Sequence, residues 1–340
     1  MRPVLKPTLR RRWRDPQTLQ LGTDPAVAVV LTGLSPTDRA VLDLLDGTRS
    51  EAAIVAAAAD AGVAPEEVHR LLGALGRAGA LEDAAAADPL LDLPPGRRER
   101  LRCELAQLSV YCQIPGAAAA AVHHRRLCRV VVLGAGRIGA PIAALLAAAG
   151  VGAVEVTDPS PAGPEDAIPG GLAPGDAGRA RQDAVAGAVA GARVRRRTGS
   201  PLEAALVVLA PPPGPDVTTA ERLRRDGVPH LAVDTIDGAG IVGPLVVPAR
   251  SACLRCLEAH RRDRDPMWAA PEDRGWPEAA GSALAVATAA LATMQALSFL
   301  DEPYTGARPA TLDGTIELRP PDWRLRRRTW PPHPDCGCAT

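Results

Sequence analysis

Two sets of residues have the types and the spacing to do chemistry. Four of the seven cysteines stand in two tight pairs, Cys253-Leu-Arg-Cys256 and Cys336-Gly-Cys338. Two close thiol pairs suit a tetrahedral four-thiolate zinc site. Gly337 lets the backbone turn so that both tail sulfurs face one ion, and the ion would close a loop of about 80 residues, the kind of cross-link that gains most from loop length. The alternatives are free thiols without metal and a redox dithiol at Cys253/Cys256, although a redox C-x-x-C sits near the start of its fold and not late in a sheet. The second set is Gly134-Ala-Gly136-Arg137-Ile-Gly139. It follows a β-branched run, Val130 to Leu133, and precedes an Ala/Leu-rich helix reaching about Ala149. A second apolar run, Val154 to Val156, ends at Asp158. Strand, glycine turn, helix, strand and acid is the arrangement of a dinucleotide or nucleotide site. Gly134 permits a tight turn, Gly136 close approach of a phosphate, and Gly139 helix packing. The helix N-terminus offers free N–H groups to a phosphate, and Asp158 stands where a carboxylate accepts from a ribose hydroxyl. A Rossmann layer that binds no nucleotide gives the same pattern.

These residues must be positioned by an α/β domain. Beyond Asp158, Pro159 to Gly178 reads as a long loop and Arg179 to Ala192 as a helix. Leu206 to Ala210, His230 to Val233 and Ile241 to Val247 read as strands, with a helix over Thr218 to Arg225. Strands alternating with helices predict a Rossmann-like, mostly parallel sheet with helices on both faces. His260 to Ala280 is a polar segment, and Thr311 to Leu318 with Asp322 to Thr329 reads as a late hairpin.

Residues 1–83 read as a separate, small winged-helix-like α+β domain: strands over Thr18 to Leu21 and Val27 to Leu31, then three helices and a closing strand at Ala80-Leu81-Glu82. Ser35 is placed to cap the first helix and Thr48-Arg-Ser-Glu51 has the form of a capping box for the second. The third helix offers only His69, Arg70 and Arg77 as a basic surface, too thin to grip phosphates. Peptide binding by an added strand at an exposed wing edge is the preferred reading. Residues 84–100, Ala-rich with a double proline, read as a linker, and 101–340 as the nucleotide-binding domain.

Composition narrows the partners. Lys6 is the single lysine and the formal net charge is zero, so no global field favours nucleic acid or an anionic membrane. The N-terminus is basic without an apolar stretch behind it, unlike a signal peptide. Ser282 to Leu300 is the one long apolar run. Thr288, Thr293, Gln295 and Ser298 interrupt it, which predicts a buried helix and no membrane span. An odd cysteine count with close pairs predicts a reducing, cytoplasmic setting.

GAGRIG, AAGVGAVEVTD, Gly178-Arg-Ala-Arg181, the apolar strand before CLRC and the two cysteine pairs together resemble the ThiF/MoeB family, the fold of ubiquitin-activating enzymes, over about residues 105 to 340. The N-terminal unit resembles leader-peptide recognition domains of ribosomal-peptide modification systems. The fusion resembles the precursor-recognition partners of azoline-forming cyclodehydratases. The resemblance implies ATP and magnesium at the glycine loop, a structural zinc, and a homodimer. It implies that a peptide or ubiquitin-like carrier C-terminus attacks the α-phosphate to give an acyl-adenylate and pyrophosphate. Carried over by position, Gly134, Gly136, Arg137 and Gly139 form the loop and Asp158 is the ribose acid. Arg181 stands in place of the family's phosphate-binding lysine. The family's Asn-Leu-x-Arg falls at Pro169-Gly-Gly-Leu172, without an arginine, leaving Arg179 as a substitute. Its metal-binding aspartate falls within Ala210-Pro-Pro-Pro213, leaving Asp216 as the nearest carboxylate. No cysteine lies between Cys256 and Cys336 to accept an activated group. The readings are therefore an adenylating enzyme with an eroded site, or a precursor-peptide-binding scaffold that docks a partner modification enzyme. A nicotinamide or flavin oxidoreductase is a third reading that only the glycine loop supports.

Overall fold

The computed structural model describes residues 1–188, 194–196, 203–211, 214–268 and 280–338. These divide into two compact units, Met1–His124 with Pro303–Gly306, and Arg125–Glu302 with Ala307–Thr340.

The first unit opens with β1 (Pro3–Leu5), β2 (Arg11–Asp15), β3 (Thr18–Leu21) and β4 (Val29–Leu31), followed by α1 (Pro36–Asp43), α2 (Glu51–Asp60), α3 (Pro65–Arg77) and β5 (Leu81–Asp83). β1 pairs antiparallel with β5, and β2-β3-β4 form an antiparallel sheet with β2 and β4 at its edges. Leu19 and Leu21 alternate inward from β3 and meet Val68, Leu71, Leu72 and Leu75 of α3 in one core. β1 and β2 were not legible as strands: every residue of Arg11-Arg-Trp-Arg-Asp15 is exposed, so no apolar alternation marks it. Ser35 caps α1 as expected, with a reciprocal Asp38 bond. α2 is capped by Ser50 and not by Thr48, whose hydroxyl donates to Asp46 instead. On α3, Arg70 pairs with Asp38 at 2.6 Å and His69 lies 3.7 Å from Glu51.

Residues 84–100, read as a linker, carry a 3-10 turn at Ala84–Leu90, capped by Asp83, and the start of α4 (Pro95–Tyr111). Leu90 and Leu93 are buried against Leu101 and Val122 of α5 (Ala117–Leu127). Lys6 is also buried in this unit, where Nζ donates to the Cys112 carbonyl at 2.6 Å and burial pushes the ammonium pKa down.

The second unit continues with β6 (Arg129–Leu133), α6 (Gly139–Ala148), β7 (Ala153–Thr157), α7 (Arg181–Ala188), β8 (Val194–Arg196) and β9 (Leu206–Leu209). Then come α8 (Val217–Arg225), β10 (His230–Ile236), β11 (Ala239–Val246), α9 (Leu254–Arg264), α10 (Ser282–Thr305), β12 (Gly314–Arg319) and β13 (Arg324–Thr329). The sheet order is β13-β12-β11-β10-β9-β6-β7-β8, parallel from β8 to β10 and antiparallel from β10 to β13. Alternation along β6 covers both faces. Val130 and Val132 pack with Ile142 and Leu146 of α6 and Ala285, Ala289 and Ala292 of α10, while Val131 packs with Ala220 and Leu223 of α8. α10 is long and apolar enough to cross a membrane by length and composition. Here its alanine face, with Ala285, Ala289, Ala292 and Ala296 fully buried, lies in the core of the sheet. Thr288 and Thr293 return their hydroxyls to helix carbonyls four residues back, which lets them be buried. The helix expected over Arg179 to Ala192 is described from Arg181 to Ala188, and most of 260–280 after Trp268 lies outside the described residues.

α8 carries a charge cluster with a pH signature. A hydrogen-bonded ion pair with Arg224 at 2.8 Å is the main cause that pulls the Glu221 carboxyl from 4.5 to about 2, with Arg225 and Arg255 adding to it. A depressed carboxylate contributes stability above its unfolded pKa that is lost as pH falls through the folded one. Acid unfolding of Glu221→Gln is therefore expected to be flatter than wild type between pH 4.5 and about 2 when followed by circular dichroism. Parallel curves would remove Glu221 from the acid response.

Candidate functional site

The glycine loop lies between β6 and α6 as the spacing predicted. Gly134 has φ +96°, and a Cβ there would meet the Ala210 carbonyl at 2.3 Å and Pro211 Cα at 2.5 Å. The glycine is thus demanded by the end of β9, pressed against the loop, as well as by the turn. A Cβ on Gly139 would lie 2.0 Å from the Gly134 carbonyl, so the last glycine lets the helix start pack on the loop itself. Ile138 occupies the N-cap of α6 and gives no side-chain cap, which leaves the helix N-terminus open to an anion.

Asp158, at the end of β7, is buried. Its carboxylate accepts from the Ala135 N–H of the glycine loop at 2.9 Å and from Ser160 N–H at 3.1 Å. Its own N–H donates to Gln182. Arg181 points Nη1 at Asp158, 3.5 Å away, but its closer partner is Asp166, which accepts from Nε at 2.7 Å. Burial works against the guanidinium charge, and the Asp166 bond and the two carboxylate charges outweigh it, raising its pKa. Asp166 was not singled out in the sequence. It caps the turn Pro164–Asp166 by accepting the Gly163 N–H, the return half of a capping box whose other half glycine cannot supply, so the sequence carried little signal for it. The segment read as a loose loop after Asp158 is thus pinned by Asp166 and by Asp176, which accepts from Ala173 N–H and binds Arg179.

The cations sort accordingly. Arg181 and Arg179 each face carboxylates. Arg137, in the glycine loop, donates to the Ala280 carbonyl, the Glu165 carbonyl and Ser282 Oγ, and meets no carboxylate among the described residues. It fastens the loop to the pinned segment on one side and to the start of α10 on the other. Asp216 caps α8, accepting from the N–H groups of Thr218 and Thr219 and from Thr219 Oγ1. Burial opposes its charge, and the bonds to Thr218 and Thr219 together outweigh it and hold its pKa down. The carboxylate nearest the glycine that follows the Pro211 segment is instead Asp234 on β10: a Cβ on Gly214 would lie 2.7 Å from its Oδ2.

The cysteines converge as the spacing required. Cys253 stands at the N-cap position of α9 without a side-chain cap bond, Cys256 lies in the first turn, and the tail brings Cys336 and Cys338. The four sulfurs lie within 4.8 Å of one another, with Cys253–Cys256 at 3.9 Å, Cys253–Cys336 at 3.5 Å and Cys256–Cys338 at 3.2 Å. A zinc–sulfur bond of about 2.3 Å sets tetrahedral edges of roughly 3.8 Å, so the donor set and its span fit zinc. Gly337 takes φ +63° between the tail pair. Burial and the neighbouring thiols push Cys336 up to about 11. Burial also opposes ionisation of Cys256, but N–H groups of His333 and Cys253 aimed at its sulfur outweigh it and lower its pKa. One thiolate is favoured, while burial and the neighbouring sulfurs hold Cys336 and Cys338 neutral, the situation a bound cation resolves.

No protein family and no curated protein matches this sequence. Solved structures match in fold over the whole chain. Microcin C7 biosynthetic enzyme MccB in complex with N-formylated MccA superposes with a TM-score of 0.72 at 14% identity, covering 99% of each chain. E. coli MccB with ATP gives 0.71 at 15% identity, again over 99% of both chains. PaaA gives 0.67 at 17% identity, over 95% of this chain and 98% of that one.

Proposed function

We propose that the chain is a ThiF/MoeB-type adenylyltransferase that activates the C-terminal carboxylate of a ribosomal peptide, with residues 1–83 holding that peptide. The observation that carries the reading is that the likeness to MccB runs through both units and not only through the nucleotide fold. The site supports it. The uncapped start of α6 offers an anion cradle, Asp158 is fixed beside the glycine loop by the Ala135 N–H, and Arg137 supplies a cation that no carboxylate neutralises among the described residues. In this reading the peptide carboxylate attacks the α-phosphorus of ATP and pyrophosphate leaves. The residues of the chain position the two reactants and offset charge. Magnesium would enter with the nucleotide, and Asp234, which lies against Gly214, is the carboxylate this reading gives it, since Asp216 is spent on the start of α8. Zinc held by Cys253, Cys256, Cys336 and Cys338 would be structural, tying the tail to the sheet. The peptide would join the exposed edge of the β2-β3-β4 sheet as a further strand. A homodimer through the second unit is part of the proposal, and a monomer by sedimentation at micromolar concentration would count against it.

A second reading, a peptide-binding scaffold for a partner modification enzyme, is favoured by one observation: Arg181, standing where a phosphate cation is needed, is held by Asp158 and Asp166. Calorimetry with ATP and magnesium on wild type and Asp158→Ala separates the two. Micromolar binding that the substitution weakens at least tenfold, with peptide-dependent ATP–pyrophosphate exchange, is the expected result. No heat from wild type and no exchange would leave the scaffold reading.

A further inference from the structure

A second set of metal-type donors stands beside the thiolates. His260 and Asp263 lie three residues apart, on one face of α9. The tail brings His333 against them. Nitrogen and oxygen donors of His260, Asp263 and His333 all lie within 4.8 Å of one another. The bonds around the rings fix which nitrogens are available. His333 Nδ1 accepts the Asp335 N–H at 3.1 Å as the cap of the turn Pro334–Cys336, so its proton sits on Nε2, 2.9 Å from Asp263 Oδ2. A metal would take the place of that proton. His260 Nε2 lies 2.9 Å from the Pro331 carbonyl, which can only accept, so the lone pair of His260 is on Nδ1. The two imidazoles meet edge to face with centroids 4.8 Å apart. His333 is buried, its main-chain N–H donates to Cys256 Sγ at 3.3 Å, and Asp263 is 64% exposed.

We propose that His260, Asp263 and His333 form a second metal site, distinct from the four cysteines, for a divalent transition ion such as zinc, cobalt or nickel. Two imidazoles and one carboxylate leave open positions at the solvent side, unlike a closed four-thiolate site. A tetrahedral ion needs donor separations of roughly 3.3 Å at metal–nitrogen distances near 2.05 Å. His333 Nε2 and Asp263 Oδ2, 2.9 Å apart, need to part by only about 0.4 Å to reach it, and half-buried His260 completes the set within 4.8 Å. The exposed carboxylate makes the ion exchangeable, so it would be lost in chelating buffers that leave a buried thiolate metal in place. The inference uses the thiolate reading in one respect only: the Cys256 cluster fixes the tail that carries His333.

The test uses the untagged, reduced full-length protein, analysed for zinc and then titrated with cobalt(II) under optical absorption. The expected result is one zinc per chain as purified and one further equivalent of cobalt, with weak d–d bands and no thiolate charge-transfer band. Asp263→Asn and His260→Ala are expected to lose the cobalt equivalent at concentrations that saturate wild type while keeping the zinc and the far-ultraviolet dichroism of wild type. No cobalt bound, or the same cobalt bound by both variants, overturns the proposal. Protein that carries no zinc and shows no charge-transfer band, but still binds an Asp263-dependent cobalt equivalent, would reject the thiolate reading and uphold this one.

Discussion

Cys256→Ser is expected to release zinc from the thiolate cluster and to lower the melting temperature by on the order of 10 °C. Cys256 is fully buried, its sulfur lies within 3.9 Å of Cys253 and 3.2 Å of Cys338, and it accepts the His333 N–H. A serine hydroxyl is not ionised near neutrality and cannot replace a thiolate, so three donors remain where a structural site uses four. The loss is large because of what the ion closes. Cys253 and Cys336 are 83 residues apart, and the interval holds α10, β12 and β13. A cross-link closing a loop of that length removes roughly 4–5 kcal/mol of unfolded-state entropy by the chain-entropy treatment of disulfides, and metal ligation at structural sites adds binding free energy that exists only in the folded state. The measurement is zinc content together with thermal unfolding, before and after chelation. Wild type stripped of metal should melt with the variant. Equal zinc and equal melting in both proteins would remove the ion from the stability of this unit.

How much of this was readable in advance depends on whether a residue acts through local spacing or through a partner brought from afar. β6, the glycine turn, α6 and β7 follow from apolar periodicity and glycine positions within 30 residues, and the cysteine pairs announce themselves by spacing. The sheet's parallel half is likewise written in the alternation of strands and helices. β2 was invisible because its side chains face solvent on both sides, and sequence pattern detects strands only through burial. The charges around Asp158 were the other gap. The sequence places Arg181 beside a nucleotide site, but that Asp166 from the intervening turn claims its Nε depends on the path of residues 159–178. Asp216 misled for the opposite reason. It lies near the expected position in sequence, yet its oxygens are spent on the first N–H groups of α8, the ordinary use of an aspartate two residues before a threonine pair.

Asp301→Ala is expected to destabilise the second unit by about 3–5 kcal/mol, the usual cost of stranding one member of a buried ion pair. Arg125 and Asp301 are 3% and 4% exposed and form a two-pronged pair, Nε to Oδ1 at 2.8 Å and Nη2 to Oδ2 at 2.5 Å. Neither was singled out in the sequence, because 176 residues separate them. Alanine removes both carboxylate acceptors from a buried guanidinium, whose charge the Ala149 carbonyl does not neutralise. The double replacement Arg125→Leu/Asp301→Leu is expected to recover most of the loss, since a matched apolar pair avoids the desolvation penalty. If the single and double variants unfold at the same denaturant midpoint, the pair is not the source. The effect should also reach the glycine loop. Arg125 Nη1 donates to the Ala149 carbonyl at 3.1 Å, at the C-cap of α6, where a cation also favours the helix dipole. Asp301, on α10, thereby fixes the end of the helix whose other end is the glycine turn. Arg137 fastens that turn to Ser282 at the start of the same helix α10. α6 is thus held to α10 at both ends, by Arg125 through Asp301 and by Arg137 through Ser282. If the glycine loop binds ATP as proposed, Asp301→Ala should therefore weaken that binding by calorimetry from a distance, and the double variant should restore stability without restoring the cation at the α6 carbonyl.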